Sequence, residues 1–200
     1  IFRFMKKSIK KMAIVAMMLV AGSTMTVNAQ LLSEKPRVHF GIRGGVSASS
    51  YSGDRIKSKI FPMGGFAVDF KVAPIPLYLE SGLYYVNRGY KLDIPDEYYY
   101  DDESTNNQAI EMPIVVSYHY YLNDKMSIQP FFGGFVSQVF DGPFDDLDYG
   151  LRLGAGFNYG RAYASIGYDF GLKNWDYGYD KSFKSGLFFF NIGFNFVGSK

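Results

Sequence analysis

Apolar and polar residues alternate with a period of two along most of the chain after residue 30. Runs of this kind, when Gly, Pro, Asn or Asp residues bound them, are typical of β-strands. The pattern predicts eight strands, at 38–48, 61–72, 77–89, 108–121, 126–139, 149–158, 161–171 and 186–197. Each is close to the ~9–11 residues that a tilted strand needs to cross a membrane. We therefore expect an all-β protein.

The alternation separates an apolar face from a sparse polar face. In the fourth strand the apolar face consists of Ile110, Met112, Ile114, Val116, Tyr118 and Tyr120. In the last strand it consists of Phe188, Phe190, Ile192, Phe194 and Phe196. A soluble sandwich would cover its other face with Lys and Glu, whereas here that face is rich in Gly and balanced in charge. A narrow barrel needs such an interior, because side chains fill it and Gly lets its wall curve.

These features predict an eight-stranded antiparallel up-and-down transmembrane β-barrel with the polar face in its lumen. The connections alternate in length, being long at about 49–60, 90–107, 140–148 and 172–185 and short at 73–76, 122–125 and 159–160. Outer-membrane barrels alternate in this way, so we expect the long loops to be extracellular and the short turns periplasmic. Pro113 and Pro130 fall inside strands, where Pro removes a ladder donor, so we expect a β-bulge there.

The N-terminus has the pattern of a secretory signal peptide. Lys6, Lys7, Lys10 and Lys11 form a basic region, residues 12–21 an apolar region, and Val27-Asn28-Ala29 a cleavage site. The apolar run is about half of the ~20 residues that a membrane-spanning helix needs. We expect residues 1–29 to be four upstream residues plus a signal peptide, residues 30–37 to be a periplasmic segment, and residues 38–200 to form the barrel.

Removal of the signal changes the charge of the chain. It takes away five of the 21 basic residues and leaves 16 against 19 acidic ones, a net charge of −3. The mature chain has no basic stripe long enough to follow a phosphate backbone, so nucleic acid is not an expected partner. The chain also has no Cys, which excludes disulfides, thiol nucleophiles and cysteine-ligated zinc.

Charged residues of both signs fall on the predicted lumen face. They are Arg43, Arg88 and Arg152 with Asp69, Glu80, Glu111 and Asp169. Burial of an unpaired charge costs several kcal/mol, so we expect these side chains to pair across the lumen as a structural network. The alternative is a proton or ion path, for which a lumen filled with Arg, Glu and aromatic side chains leaves little water.

The second long loop carries acidic and aromatic residues that could contact a partner or a divalent cation. The candidates are Asp96, Glu97, Tyr98, Tyr99, Tyr100, Asp101 and Asp102. Their spacing does not fit an EF-hand, so the alternative is a solvated, variable surface loop. The third loop carries Asp145, Asp146 and Asp148, to which the same alternatives apply.

The mature chain has two histidines, His39 at the start of the first strand and His119 at the end of the fourth. Both lie at the expected periplasmic end, away from the extracellular rim where an outer-membrane enzyme would place its acid, base and nucleophile. We expect each imidazole to hydrogen-bond within the barrel floor. Two isolated histidines predict no metal site, and no nucleotide-binding or nucleophile-elbow motif is present, so no cofactor is expected.

Several stretches resemble one known family. They are FGIRGG at 40–45, LYLESGLYY at 77–85, AIEMPIVVSYHYY at 109–121, PFFGGF at 130–135, DYGLRLGAGF at 148–157 and ASIGYDFGLKN at 164–174. In this order they resemble the PorT-like outer-membrane β-barrel family over nearly the whole mature chain. The resemblance implies an outer-membrane barrel. Some relatives are accessory to a protein-secretion system and most have no assigned activity, so it carries no catalytic residue over.

Three functions compete at this point. The first is a non-enzymatic outer-membrane barrel, structural or accessory to an envelope or secretion assembly, with outer-membrane lipid around it and other envelope proteins at its loops. The second is an outer-membrane lipid hydrolase or protease, which would need a cluster of catalytic groups at the rim. The third is a soluble periplasmic lipocalin-like carrier, which would turn its apolar faces inward.

Overall fold

Eight long β-strands dominate the computed structural model, which describes residues 38–51, 56–92, 104–141, 147–176 and 182–197. They are β1 (Val38–Tyr51), β2 (Lys59–Lys71), β3 (Leu77–Asn87), β4 (Gln108–Tyr118), β5 (Met126–Asp141), β6 (Leu147–Tyr159), β7 (Ala162–Gly171) and β8 (Ser185–Val197). All lie within one compact unit, Lys35–Lys200. The ends of the predicted strands lie within three residues of these bounds.

The eight strands form one closed antiparallel sheet. Each strand pairs with the strands before and after it in the chain, and β8 pairs with β1. Closure leaves no long strand with an unpaired edge. The predicted eight-stranded antiparallel up-and-down barrel is therefore confirmed.

The described parts of the connections contain six short strands. Ile56–Lys57, Tyr90–Leu92 and Ser104–Thr105 form a three-stranded sheet, and Trp175–Asp176 pairs with Ser182–Phe183. A further two-residue strand, Tyr120–Tyr121, extends the pairing of β5. Among the residues that the structure describes, no helix has the length and apolarity needed to cross a membrane.

The two ends of the barrel differ in the length of their connections. The short-turn end carries the connections after β2, β4 and β6, together with the start of β1 and the end of β8. The tightest of these turns contains Gly160, whose φ of +58° lies in the left-handed region that Gly adopts without strain. The long-loop end carries the four other connections, 52–58, 88–107, 142–146 and 172–184, of which 88–107 and 172–184 are the two longest in the barrel.

The strands turn apolar side chains outward and polar ones inward, as the period of two predicts. Large exposed apolar residues occur on every strand, for example Val46, Phe66, Tyr85, Ile114, Phe132, Leu153, Ile166 and Phe190. The buried set combines a small hydrophobic cluster around Val115, Phe131 and Phe189 with many charged and polar side chains. The outer wall is thus apolar and the lumen is filled.

The expected bulges at Pro113 and Pro130 are not present. Pro130 pairs with Ala155 and Pro113 with Phe135 in an unbroken register. On the other side of Pro113, Ser81 and Ile114 keep the register of the ladder, and the Ser81 hydroxyl donates to the Pro113 carbonyl at 2.8 Å. The prediction was wrong because the missing N–H removes one ladder hydrogen bond without requiring an extra residue.

Bulges occur elsewhere. Register shifts lie between Phe40 and Gly41 in the pairing of β1 with β8, and between Gln108 and Ala109 in the pairing of β4 with β5. The predicted signal peptide 1–29, the segment 30–37 and the loop candidates at 96–102 lie outside the described residues.

Candidate functional site

A buried cluster of arginines and carboxylates occupies the lumen towards the long-loop end. We call it the arginine–carboxylate cluster, and it consists of Arg88, Glu111, Asp148, Arg152 and Asp169. Arg152 is held on two sides, because its Nε donates to Asp169 Oδ1 at 2.6 Å and one of its terminal nitrogens donates to Asp169 Oδ2 at 2.7 Å and to Glu111. This fork against Asp169 is the bidentate geometry that suits a guanidinium.

Arg88 joins the remaining carboxylates. It donates to Glu111 and, at 3.1 Å, to Asp169 Oδ2. Its other terminal nitrogen lies 3.4 Å from Asp148 Oδ2, which also accepts a hydrogen bond of 2.6 Å from the Ser185 hydroxyl. Strands β4, β6, β7 and β8 and the residue after β3 therefore meet in one network.

Aromatic rings support both guanidinium groups. The Arg88 guanidinium lies 4.4 Å from the centre of the Phe135 ring, and the Arg152 guanidinium 4.5 Å from that of Phe189. Cations in such positions are attracted by the ring quadrupole. Gly167 makes room for Phe189, since a Cβ added there would collide with the ring. Packing around the cluster therefore requires Gly at position 167.

A second cluster, with histidines in place of arginines, lies at the short-turn end. We call it the histidine–carboxylate cluster, and it consists of His39, Asp69, Glu80 and His119. The register of the sheet creates it, because His39 lies opposite Asp69 across β1 and β2, and Asp69 lies opposite Glu80 across β2 and β3. His119 follows β4, and its backbone N–H donates to Pro76 just before β3.

Within this cluster the side chains are closely packed. His39 Nδ1 lies 2.5 Å from Asp69 Oδ1, and His39 N donates to the same oxygen at 3.2 Å. His119 Nε2 lies 3.1 Å from the Ser117 hydroxyl and 3.5 Å from Glu80 Oε1. The His119 ring stacks on Tyr78 with 3.7 Å between centroids.

A small cavity separates the two clusters. It has a volume of about 40 Å³, and its lining includes Arg43, Asp69, Glu80, Tyr84 and Arg152. A volume of this size holds a few water molecules at about 10–15 Å³ each. Arg43 donates to Asn195 Oδ1 at 2.7 Å and lies 4.0 Å from the centre of the Tyr163 ring. Its guanidinium group forms no ion pair with the carboxylates of either cluster.

The structure thus divides the seven charged residues that the sequence predicted as one lumen network. Arg88, Glu111, Arg152 and Asp169 lie together, whereas Asp69 and Glu80 lie with the histidines and Arg43 bonds to an amide. Sequence reasoning placed Asp148 in a loop. It lies in β6 with its side chain buried, and its spacing of four from Arg152 on the same strand face could have revealed this.

The histidines do not form an accessible catalytic centre. The closest serine to a histidine nitrogen is Ser117, beside His119, and the two residues are only 1% and 0% exposed. A substrate atom needs to approach within about 3 Å of both nucleophile and base, and this pair is closed to it. The structure also brings the two imidazoles to 5.6 Å between centroids, so they are not isolated from each other as the sequence suggested.

Comparison with known proteins identifies a family. The outer membrane protein beta-barrel domain family matches residues 28–197. A search of curated proteins finds no match.

Solved structures with a similar fold include three small barrels. Ail, the attachment invasion locus protein of Yersinia pestis, is 12% identical with a TM-score of 0.44, and the match covers 80% of this chain and 99% of Ail. Neisserial surface protein A is 14% identical with a TM-score of 0.43, covering 78% and 97%. The outer membrane protein W of E. coli is 12% identical with a TM-score of 0.44, covering 82% and 100%.

Proposed function

The chain belongs to the outer membrane protein beta-barrel domain family, and from that premise we propose that it is a non-enzymatic, closed barrel of the outer membrane, structural or accessory to an envelope or secretion assembly. The observation that carries this proposal is the inversion of polarity across its wall: an apolar outer surface surrounds a polar, filled lumen. A protein with lipid as its solvent needs this arrangement.

The outer surface supports lipid residence. Side chains such as Leu153, Phe132 and Ile192 are about half exposed, and apolar neighbours on every strand continue the surface around the barrel. A soluble carrier of apolar ligands would place such residues in its lumen. The opposite orientation found here argues against the carrier hypothesis.

The filled lumen supports a closed barrel. The arginine–carboxylate cluster crosses it with ion pairs that join Arg152 and Arg88 to the same carboxylates, Glu111 and Asp169. On the short-turn side of the cluster, the rings of Phe131 and Phe189 stack across the lumen. The described interior holds a cavity of about 40 Å³ between these layers and the short-turn end, which is too small for an ion pathway through the barrel.

The finer assignments are part of the same proposal. The stretches that resemble the PorT-like barrels favour a secretion-related role over an isolated structural one. The N-terminal pattern favours cleavage after Ala29, which leaves Gln30 as the first residue. The long loops, with the acidic and aromatic residues 96–102, are the proposed contact surface for other envelope proteins.

Membrane residence can be tested on residues 30–200 refolded with and without lipid vesicles. We expect a folded form that migrates differently before and after boiling, and that forms only when lipid or detergent is present. Vesicles that contain it should retain a small trapped dye. A β-rich protein that is soluble without amphiphile would contradict the proposal, and dye release would contradict a closed lumen.

The accessory role can be tested by photo-crosslinking in cells. A crosslinker at Asn174 or Lys184, both exposed in the connection between β7 and β8, should capture another envelope protein. The matched control is a crosslinker at Asp124 or Lys125 in the exposed turn after β4, which should capture none. If crosslinkers at neither end capture an envelope protein, the accessory role is contradicted.

A further inference from the structure

We propose that Asp69, Glu80 and His119 bind a divalent first-row metal ion, for which Zn²⁺ is the probe, at the short-turn end of the lumen. One ligand atom from each residue lies within 4.8 Å of the other two. His119 Nε2 and Glu80 Oε1 are already 3.5 Å apart. With zinc–ligand bonds of about 2.0–2.2 Å, two ligands of a tetrahedral site are about 3.4 Å from each other. Rotation of the Asp69 side chain brings its carboxylate to the third ligand position.

The backbone fixes where these ligands stand. Asp69 and Glu80 are direct partners across β2 and β3, so their side chains leave the sheet side by side into the lumen. His119 approaches from β4, whose Ser117 pairs with Tyr78 in β3. Two paired strands and the residue directly after a third therefore converge on one point, and the hydrogen bond from His119 N to Pro76 holds that residue in place, which gives the rigid support that a metal site needs.

Charge and hydrogen bonding favour a cation at this point. Two carboxylates directly opposite each other repel, and Glu80 Oε1 is buried without a hydrogen-bond partner. The nearby guanidinium of Arg43 donates instead to the Ile42 carbonyl and to Asn195. In the arginine–carboxylate cluster, by contrast, guanidinium groups bond the carboxylates directly. A divalent ion would supply the positive charge that the histidine–carboxylate cluster lacks.

The neighbouring side chains suit an outer shell around the ion. His39 bonds Asp69 through Oδ1, which leaves Oδ2 for the metal and orients the carboxylate. The Gln129 amide lies 3.4 Å from His119 Nδ1 and 3.1 Å from the Ser127 hydroxyl. When Nε2 binds the metal, Nδ1 carries the proton, so the amide turns its oxygen to accept from both Nδ1 and Ser127.

An entry path and a place for water complete the site. The Glu80 side chain keeps 18% of its surface exposed, so the site is not sealed. The cavity of about 40 Å³ borders Asp69 and Glu80 and has room for a water molecule as a fourth ligand. Because His119 and Ser117 are buried, we assign the ion a structural role, tying β2, β3 and β4 together at this end.

The test is calorimetric titration of Zn²⁺ into residues 30–200, refolded in detergent without a polyhistidine tag and freed of metal with a chelator. We expect one Zn²⁺ per chain and no comparable binding of Mg²⁺. Glu80→Gln and His119→Gln should each weaken binding at least tenfold, and His39→Asn, which changes the outer shell, by about 10–100-fold. Asp124→Asn, in the exposed turn at the same end, should bind like the wild type.

The heat-dependent shift in mobility shows in the same samples whether each variant has folded. Folded Glu80→Gln and His119→Gln proteins that bind Zn²⁺ as tightly as the wild type would overturn the proposal. So would a wild type that binds no Zn²⁺. These outcomes are independent of whether a secretion partner is found.

Discussion

The two clusters in the lumen solve the same problem in different ways. Both place carboxylates in the lumen, where an unpaired charge would cost several kcal/mol. At the long-loop end, Glu111 and Asp169 are bonded by two guanidinium groups that are always charged. At the short-turn end, Asp69 and Glu80 lie opposite each other, His39 bonds Asp69, and His119 Nε2 lies 3.5 Å from Glu80 Oε1. Unlike a guanidinium group, an imidazole carries charge only when protonated.

This difference indicates that the clusters at the two ends have separate roles. In the arginine–carboxylate cluster every carboxylate contacts a guanidinium group of the same chain, and with Ser185 the cluster joins β4, β6, β7 and β8. In the histidine–carboxylate cluster no guanidinium group bonds Asp69 or Glu80, and the proposed metal ion would supply the positive charge. The first cluster therefore serves stability, whereas the second has the features of a binding site. Substitutions that break one cluster should leave the other intact, because the cavity and the stacked rings of Phe131 and Phe189 lie between them.

The largest effect should follow from Arg152→Met. This change removes one of the two guanidinium groups that bond Glu111 and Asp169 and leaves buried negative charge uncompensated, so the free energy of unfolding should fall by about 3–5 kcal/mol. Urea titration in lipid vesicles, followed by the mobility of the unboiled protein, measures it. Arg161→Met in the exposed turn before β7 is the control and should change stability by less than about 0.5 kcal/mol. Equal losses at both positions would argue against the network.

A smaller loss should follow from Gly167→Ala. The added methyl group collides with the Phe189 ring, on which the Arg152 guanidinium lies. Overpacking of this kind costs about 1–3 kcal/mol. Gly44→Ala is the matched control, because the nearest atom to its added Cβ is 3.9 Å away. The same urea titration compares the two, and a Gly44→Ala protein as unstable as Gly167→Ala would contradict the packing argument.

The smallest effect should follow from Asp69→Asn in the absence of metal. The amide oxygen can still accept both hydrogen bonds from His39, and the repulsion from Glu80 disappears. Like charges opposite each other in a sheet destabilise it by about 0.2–1 kcal/mol, so the urea midpoint should stay the same or rise slightly. A large fall would mean that the charge of Asp69 stabilises the cluster without a metal ion.

The sequence predicted the wall of this barrel better than its interior. A period of two is local, so the outward row from Phe188 to Phe196 could be identified from the last strand alone. Contacts across the lumen are not local. Arg88 bonds Asp169, 81 residues away, because the barrel closes with a particular stagger of its strands.

The histidine–carboxylate cluster shows the same limit at shorter range. His39 and Asp69 are 30 residues apart and meet because the turn between β2 and β3 and the loop between β1 and β2 set the register. Neither connection length specifies that register to a single residue. The two histidines therefore looked isolated in the sequence, although the fold brings their rings together.

One paired measurement tests the contrast between the clusters most directly. It is the urea unfolding of Glu111→Gln and Glu80→Gln in metal-free lipid vesicles, compared with the wild type. The same chemical change should lower the free energy of unfolding by about 3 kcal/mol or more at Glu111, where two guanidinium groups lose a buried partner. At Glu80 it should lower the free energy of unfolding by no more than about 1 kcal/mol, or raise it slightly. Similar losses at both positions would contradict the account.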